Sequence, residues 1–362
     1  VVAGEGSGDL LGARVVERLH VSAFGLGGPL LARAGVELTA DFRGMTAMGI
    51  APAARRSAAT VRALAALARG VHRESPRAAL LVGLSEVNAR LAPLLKRRGV
   101  RVLWYSPPQV WAWRPRRAGS IARACDHLSL LLPFELPLWT QNGASAEYVG
   151  HPALESLPPL PRPTAALDSP APTVVLLPGS RPHEVRAHLH VLLAAGRRLV
   201  ERHRARALVV RAPALDEKTA TYVVTHARAA GIDVTDAPLA DAAARADVAL
   251  VASGTATLEC AVLGVPPVIV YRTDAVTFAV ARRLVQTPFI GLPNLVLKRA
   301  AFPELVQAAF TPKNVVDAAL DVLRTLPFHR AACAEARTAL LAGLDGRPPS
   351  ERVAATLSEW LS

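Results

Sequence analysis

Two kinds of apolar pattern alternate along this chain. Short unbroken apolar runs, bounded by Gly, Pro, Ser or Asp, read as strands buried on both faces, as in parallel sheets. They predict strands at Val1–Ala3, Val21–Gly25, Ala79–Leu84, Val102–Tyr105, His127–Leu131 and Glu147–Val149, then at Thr173–Leu177, Ala207–Arg211, Asp233–Thr235, Asp247–Ala252 and Val268–Tyr271. Helices fill the gaps, and from Phe302 to Leu361 the pattern reads as wholly helical. Strand alternating with helix implies parallel sheets. Between the halves, Leu154–Pro172 (LESLPPLPRPTAALDSPAP) holds too much proline for regular helix or central strand, and reads as a semi-rigid linker. The expected architecture is α/β: two Rossmann-like parallel-sheet domains, residues 1–153 and 173–362, joined by linker 154–172 and facing a cleft, with a helical C-terminal segment.

Bulk properties narrow the function. The 362 residues are 51% hydrophobic, yet no apolar run approaches the length of a membrane-spanning helix. The sequence opens on Val1-Val2-Ala3, which reads as part of a first strand. Net charge is +13, almost all from arginine, which fits an anionic membrane surface better than nucleic acid, because stacking aromatics are scarce. Cys125, Cys260 and Cys333 are sparse and odd in number, against a disulfide framework and for a reducing compartment. No Asp-x-Asp and no P-loop occurs, so no metal or cofactor is called for.

Candidate chemistry gathers at strand ends. Ser253-Gly254-Thr255-Ala256-Thr257-Leu258-Glu259 reads as a small-residue turn opening a helix after a strand. Its N–H groups would face a phosphate, and Glu259, a helical turn beyond Thr255, could hold a ribose. The same residues also fit a plain capped helix with Glu259 on a wet face. Leu176-Leu177-Pro178-Gly179-Ser180-Arg181-Pro182 repeats the pattern, with Ser180 as a helix cap and the Arg181 fork suited to a diphosphate. In the first half, Gly4-Glu5-Gly6-Ser7-Gly8-Asp9 puts two carboxylates where a phosphate cradle would be, so it suits sugar hydroxyls, or Asp9 merely caps. Trp104 to Arg114 concentrates three of the five tryptophans, either lining a sugar or acyl site or packing in the core. Ala58 to Arg77 is amphipathic, with Val61, Leu64, Leu67 and Val71 at helical spacing and Arg62, Arg69 and Arg73 among them. It reads as a membrane-surface helix or as a solvated helix with one core stripe.

Together these segments resemble the lipid-A-disaccharide synthase family of inverting GT-B glycosyltransferases. The resemblance runs over essentially the whole chain, through GEGSGDLLGA from Gly4, GLGGPLLARAGVEL from Gly25, PQVWAW from Pro108, LPFE from Leu132, VGHP from Val149, LLPGSR from Leu176, ASGTATLE from Ala252, LGVPPVIVYR from Leu263 and LPNLV from Leu292. It implies transfer from UDP-2,3-diacylglucosamine to 2,3-diacylglucosamine 1-phosphate, giving a β(1→6) disaccharide phosphate and UDP, without metal, at the cytoplasmic face of the inner membrane. It implies that Gly179, Ser180, Arg181, Ser253, Gly254, Thr255, Glu259, Asn294, Glu304 and Gln307 hold the UDP-sugar, and that Glu5, Ser7, Asp9 and Asn88 face the acceptor. A peripheral anionic membrane surface is an expected partner, nucleic acid is not, and a homodimer remains open.

One departure bears on catalysis. The family follows its third N-terminal strand with Gly-Ile-Asp-Ala/Ser-Pro-Asp-Phe-Asn, whereas this chain reads Gly83-Leu84-Ser85-Glu86-Val87-Asn88, two residues shorter. Alignment puts Glu86 where the second Asp falls, as the general base towards the acceptor hydroxyl. A second departure is Pro107, where the family usually has Ser. Three other readings stand beside a disaccharide synthase: another UDP-sugar glycolipid transferase, a catalytically altered binding relative, and a basic nucleic-acid binder.

Overall fold

The computed structural model describes residues 1–41, 53–155, 171–213, 215–285 and 287–362. Most of the expected linker, 156–170, lies outside the described residues; its first residue, Leu154, closes a short 3-10 turn, Pro152–Leu154. The chain forms two compact units, residues 1–155 with 343–362, and residues 156–342.

The first unit is built on seven parallel strands: β1 (Val2–Ala3), β2 (Ala23–Gly27), β3 (Val36–Asp41), β4 (Ala78–Val82), β5 (Arg101–Tyr105), β6 (His127–Leu130) and β7 (Ala146–Tyr148), in the order β3-β2-β1-β4-β5-β6-β7. The helices that matter here are α1 (Glu5–Val16), α2 (Pro29–Arg33), α3 (Ala53–Glu74), α4 (Ser85–Arg97) and α5 (Val110–Trp113). Alternate residues of β5 feed opposite faces of the sheet: Val102 and Trp104 enter one core with α3 and α4, Leu103 and Tyr105 the other with α1. Strand β2 begins two residues later than expected, and β3 was missed. Its sequence VELTAD alternates apolar with polar, the mark of an edge strand with one wet face, and not of the unbroken runs that flag interior strands.

The second unit carries six parallel strands: β8 (Thr173–Leu177), β9 (Arg206–Val210), β10 (Asp233–Thr235), β11 (Val248–Ala252), β12 (Pro267–Tyr271) and β13 (Glu304–Val306), in the order β10-β9-β8-β11-β12-β13. Every residue of β11 is buried, as its unbroken apolar sequence requires. Helices α6 (Pro182–His203), α7 (Thr255–Val262) and α8 (Leu292–Leu297) start near the carboxyl ends of strands or after the connections that follow them. The expectation of continuous helix from Phe302 is overturned by β13, a three-residue edge strand whose length is too short for period to be read.

The last helix, α9 (Pro349–Leu361), corrects the expected partition at 173–362, because it returns to the first unit. Val353, Ala354, Leu357 and Trp360 join the core beside α1, and Arg101 stacks 4.1 Å above the Trp360 ring. Glu155 accepts hydrogen bonds from Ser350 N at 2.7 Å and Ser350 Oγ at 2.9 Å. Arg352, nearly buried, pairs with Glu147 at 2.9 Å and with Asp345. The three cysteines are buried free thiols.

Candidate functional site

Strand order decides where ligands can sit. In each sheet the connection direction reverses once, between β1 and β4 in the first and between β8 and β11 in the second. At such a switch point the loops leaving the two strands run to opposite sides and open a crevice at the carboxyl ends. Val2 and Ala3 pair with Leu81 and Val82, so the turn bearing Glu5 and Ser7 and the turn bearing Glu86 flank one crevice. Leu176 and Leu177 neighbour Leu250 and Val251, so Gly179-Ser180-Arg181 and Ser253-Gly254-Thr255 flank the other.

In the second crevice the turn after β11 is open. Gly254 and Thr255 are exposed, Ser253 Oγ donates to Ile290 O at 2.8 Å, and Thr257 Oγ1 donates to Gly254 O at 2.7 Å. Glu259 is half-buried on α7, one turn beyond Thr255. The turn after β8 holds an internal anion. Glu184 Oε2 accepts from Ser180 N at 3.0 Å and Arg181 N at 3.2 Å, and Oε1 from Arg181 Nη1 at 2.9 Å. Gly179 has φ +126°, and a Cβ there would lie 2.6 Å from Glu184 Cβ, so the turn requires glycine. The cap of α6 is thus Arg181 with Glu184, and not Ser180 as the sequence suggested. Sequence reading passed over Glu184, although a Glu three residues past a cap position is a recognisable signal.

His188, which carries no motif, ties the turn after β8 to the segment that follows β12. It is fully buried, its Nδ1 lies 3.0 Å from Pro178 O, and its Nε2 accepts from Arg272 N at 3.0 Å. Burial lowers its pKa, which keeps the Nε2 lone pair available.

Three expected UDP ligands have other work. Asn294 is fully buried and all its hydrogen-bonding capacity faces the protein: Oδ1 accepts from Ala301 N and Phe302 N, and Nδ2 donates to Phe302 O and Glu304 Oε1. Glu304 also accepts from Ile290 N and Gly291 N, each at 3.0 Å. The Gln307 amide is paired both ways with the Thr273 backbone. Their side chains shape the 290–307 loop; Asn294 is fully buried, while Glu304 and Gln307 stay partly exposed.

In the first crevice Asp9 is likewise redirected. It is buried, and its carboxylate accepts from Gly28 N at 2.7 Å, Leu30 N at 2.9 Å and Leu31 N at 3.2 Å, capping α2. Glu5 and Ser7 remain exposed at the start of α1, Glu5 in the left-handed region at φ 67°.

The shortened segment after β4 closes by two consecutive left-handed residues, Gly83 at φ 55° and Leu84 at φ 44°. For leucine that conformation costs roughly 1–2 kcal/mol. Asn88 Nδ2 and Trp104 Nε1 pin the turn by donating to Gly83 O at 2.8 and 3.2 Å. Asn88 is buried, and its Oδ1 has no hydrogen-bond partner among the described residues.

Glu86 stands in the first turn of α4 and is exposed. Its Oε1 accepts from Arg117 Nη1 at 2.6 Å and lies 3.7 Å from Arg114 Nη1. The Arg117 hydrogen bond, with the charges of Arg117, Arg114 and Arg90, holds the carboxyl below the usual range.

Arg114 and Arg117 leave the same loop that carries the tryptophans. Trp104 is core, Trp111 Nε1 donates to buried Glu135 at 2.9 Å, and half-exposed Trp113 lies under Arg114. Burial raises the Glu135 carboxyl to about 7. Beside α4, an apolar groove is lined by Leu64, Val71, Val87, Leu91 and Leu94, with Arg90 and Arg98 at hand.

Two parallel-sheet Rossmann-like domains, each with candidate ligand turns at its switch point, define the GT-B class. Solved structures of like fold include MurG from Acinetobacter baumannii (TM-score 0.59, 14% identity, 99% of this chain and 98% of that one covered) and CalG4, the calicheamicin glycosyltransferase (0.61, 15%, 98% and 94%). The chain belongs to the lipid-A-disaccharide synthase family. The family model described as lipid-A-disaccharide synthetase matches residues 1–335. Relatives bearing the name lipid-A-disaccharide synthase include those of Anaeromyxobacter sp. strain K (38% identical, 87% of this chain and 85% of the relative) and Thiobacillus denitrificans (37%, 100% and 99%). The protein is a glycosyltransferase of lipid A biosynthesis that forms a disaccharide.

Proposed function

We propose that the donor is UDP-2,3-diacylglucosamine, that the acceptor is 2,3-diacylglucosamine 1-phosphate, and that Glu86 is the general base. The acceptor 6-hydroxyl loses its proton to Glu86 and attacks the anomeric carbon. The bond to UDP breaks on the opposite face, inverting the centre. Charge developing on the diphosphate meets the Arg181 guanidinium and the N–H groups that open α7, donors that need no reorientation as the charge forms. Glu259 holds the ribose hydroxyls. A diphosphate at the β8 turn takes over the donors that Glu184 occupies without ligand.

The observation that carries this reading is the pair of turns at the β8–β11 switch point, small-residue and cationic, with Glu259 one helical turn on. Membrane contact belongs to the same proposal. The substrates are lipids, the chain is basic, and no helix among the described residues is long and apolar enough to cross a membrane. Peripheral attachment to an anionic cytoplasmic surface, with or without a second copy of the chain, follows.

The test is mass spectrometry of products from the purified protein with both acylated substrates. Disaccharide phosphate and UDP are expected, and Glu86→Gln abolishes transfer while leaving UDP affinity intact, because the amide cannot take the proton. A nearly silent Glu86→Gln removes Glu86 as base. Tight UDP binding without transfer by the unmutated protein removes this donor and acceptor pair.

A further inference from the structure

Glu86 is outnumbered. Three arginines act on its one carboxylate: Arg117 by a 2.6 Å hydrogen bond, Arg114 at 3.7 Å, and Arg90 one turn along α4. The cluster carries two positive charges beyond what Glu86 neutralises. A cluster that served only to fix the carboxylate would need one arginine, since a single bidentate fork satisfies both oxygens. Neighbouring guanidiniums repel, and that surplus favours a dianion. A phosphate monoester carries about that charge at neutral pH.

Three elements bring the arginines together: Arg90 comes from α4, Arg114 from the end of α5, and Arg117 from the 3-10 turn Pro115–Arg117. The Trp113 ring lies 4.0 Å below the Arg114 guanidinium, which limits its sweep. Arg90 also lines the apolar groove with Leu64, Val87 and Leu94. A ligand with a phosphate at one end and apolar chains at the other matches that adjacency.

We infer that Arg90, Arg114 and Arg117 form a binding subsite for the phosphate monoester of the acceptor, and that Glu86 is the internal anion this phosphate displaces. This rests on the proposed acceptor and on Glu86 as base. In a sugar 1-phosphate the anomeric phosphate and the 6-hydroxyl flank the ring oxygen, so a phosphate on the arginines brings the hydroxyl towards the released carboxylate. The exchange also changes the base. Losing the Arg117 hydrogen bond and gaining an anionic neighbour both raise the affinity of Glu86 for a proton. The clamp therefore keeps the base weak until the correct acceptor is seated.

The experiment needs no transfer, so it can fail independently of the proposed reaction. Glucosamine 1-phosphate and glucosamine are titrated calorimetrically into the full-length protein without donor. The phosphorylated sugar is expected to bind at least about tenfold more tightly, the scale of one charge-assisted contact. The Arg114→Ala, Arg117→Ala double variant loses that preference. Glu86→Gln, which removes the competing charge, binds glucosamine 1-phosphate about threefold or more tightly, a gain that misfolding cannot produce. Phosphatidylglycerol vesicles distinguish a lipid headgroup from the substrate phosphate, and the double variant keeps its vesicle binding. Equal affinity for the two sugars overturns the subsite. So does weaker phosphate binding by Glu86→Gln, or a double variant that loses vesicles but keeps the sugar phosphate.

Discussion

Positive φ at non-glycine residues sorts the candidate site from ordinary turns. Glu5, Leu84, Ser106 and Gln307 all adopt it just beyond the carboxyl end of a strand, whereas Arg204 and Lys298 do so as helix caps. Strain at strand ends is where function is expected to hold a backbone in place. Glu259 is the residue on which the nucleotide reading turns. Glu259→Ala should weaken UDP binding by roughly 1.5–3 kcal/mol, the range for hydrogen bonds to a charged group; calorimetry giving unchanged affinity would remove its ribose role. The sequence singled out Gly179, Arg181 and Glu259 because a phosphate turn needs small residues and a fork at fixed places, and the fold sets all three at the β8–β11 switch point. It concealed the structural duties of Asp9, Asn294 and Glu304, because a carboxylate or amide reads alike whether it faces a ligand or a backbone N–H. His151 supplies a pH dependence. Its Nδ1 accepts from Ala153 N at 3.1 Å, and burial pushes the imidazole down to about 4. The unfolded chain therefore binds the proton first, so this stability is intact above about pH 6.5 and is lost as pH falls towards 4. All five tryptophans lie in the first unit. Glu135, raised to about 7 in the same unit, acts in the opposite sense as pH falls, so the His151 contribution is read as a difference: from pH 7 to pH 5 the unmutated unit, followed by tryptophan fluorescence in urea, should lose about 2 kcal/mol relative to His151→Asn. An unaltered slope in the variant would clear His151.

Among the elements, interior strands were the easiest to foresee, because burial on both faces enforces an unbroken apolar run. Edge strands β3 and β13 escaped, one through alternation and the other through brevity. The amphipathic stretch expected at Ala58–Arg77 is helix α3, Ala53–Glu74. Leu67 and Val71 enter the core, Leu64 lines the groove, and Val61 stays exposed with Arg62 and Arg69. One stripe of the helix thus packs in the core, while Val61, Arg62 and Arg69 face outward. Val61→Ser with Arg62→Ser and Arg69→Ser should cut sedimentation with phosphatidylglycerol vesicles severalfold, with little change in stability. Salt should weaken the unmutated protein's binding, as screening requires. Equal binding to neutral vesicles at high salt would point to apolar insertion alone.

At the scale of the whole molecule, the helical tail proved to be divided between the two units. Its sequence gave each helix its period but could not say which sheet the last one covers. Ending the chain at Ala342 removes Val353, Leu357 and Trp360 from the first core, about 1.5–3 kcal/mol each. Fluorescence of the remaining tryptophans should report a first unit unfolding at markedly lower urea, while circular dichroism still shows the second unit's transition. Coincident, unshifted transitions would mean that α9 contributes nothing to the first core. The same arrangement orders events on the ribosome. The first unit begins synthesis before the second and is completed after it, because α9 follows residues 156–342 in the chain. Its nascent chain must hold an uncovered apolar face while residues 156–342, an uninterrupted stretch, emerge and become able to fold. The first unit thus cannot finish before the second has been made, and a chain stalled between residues 342 and 349 carries a complete second unit and an unfinished first one.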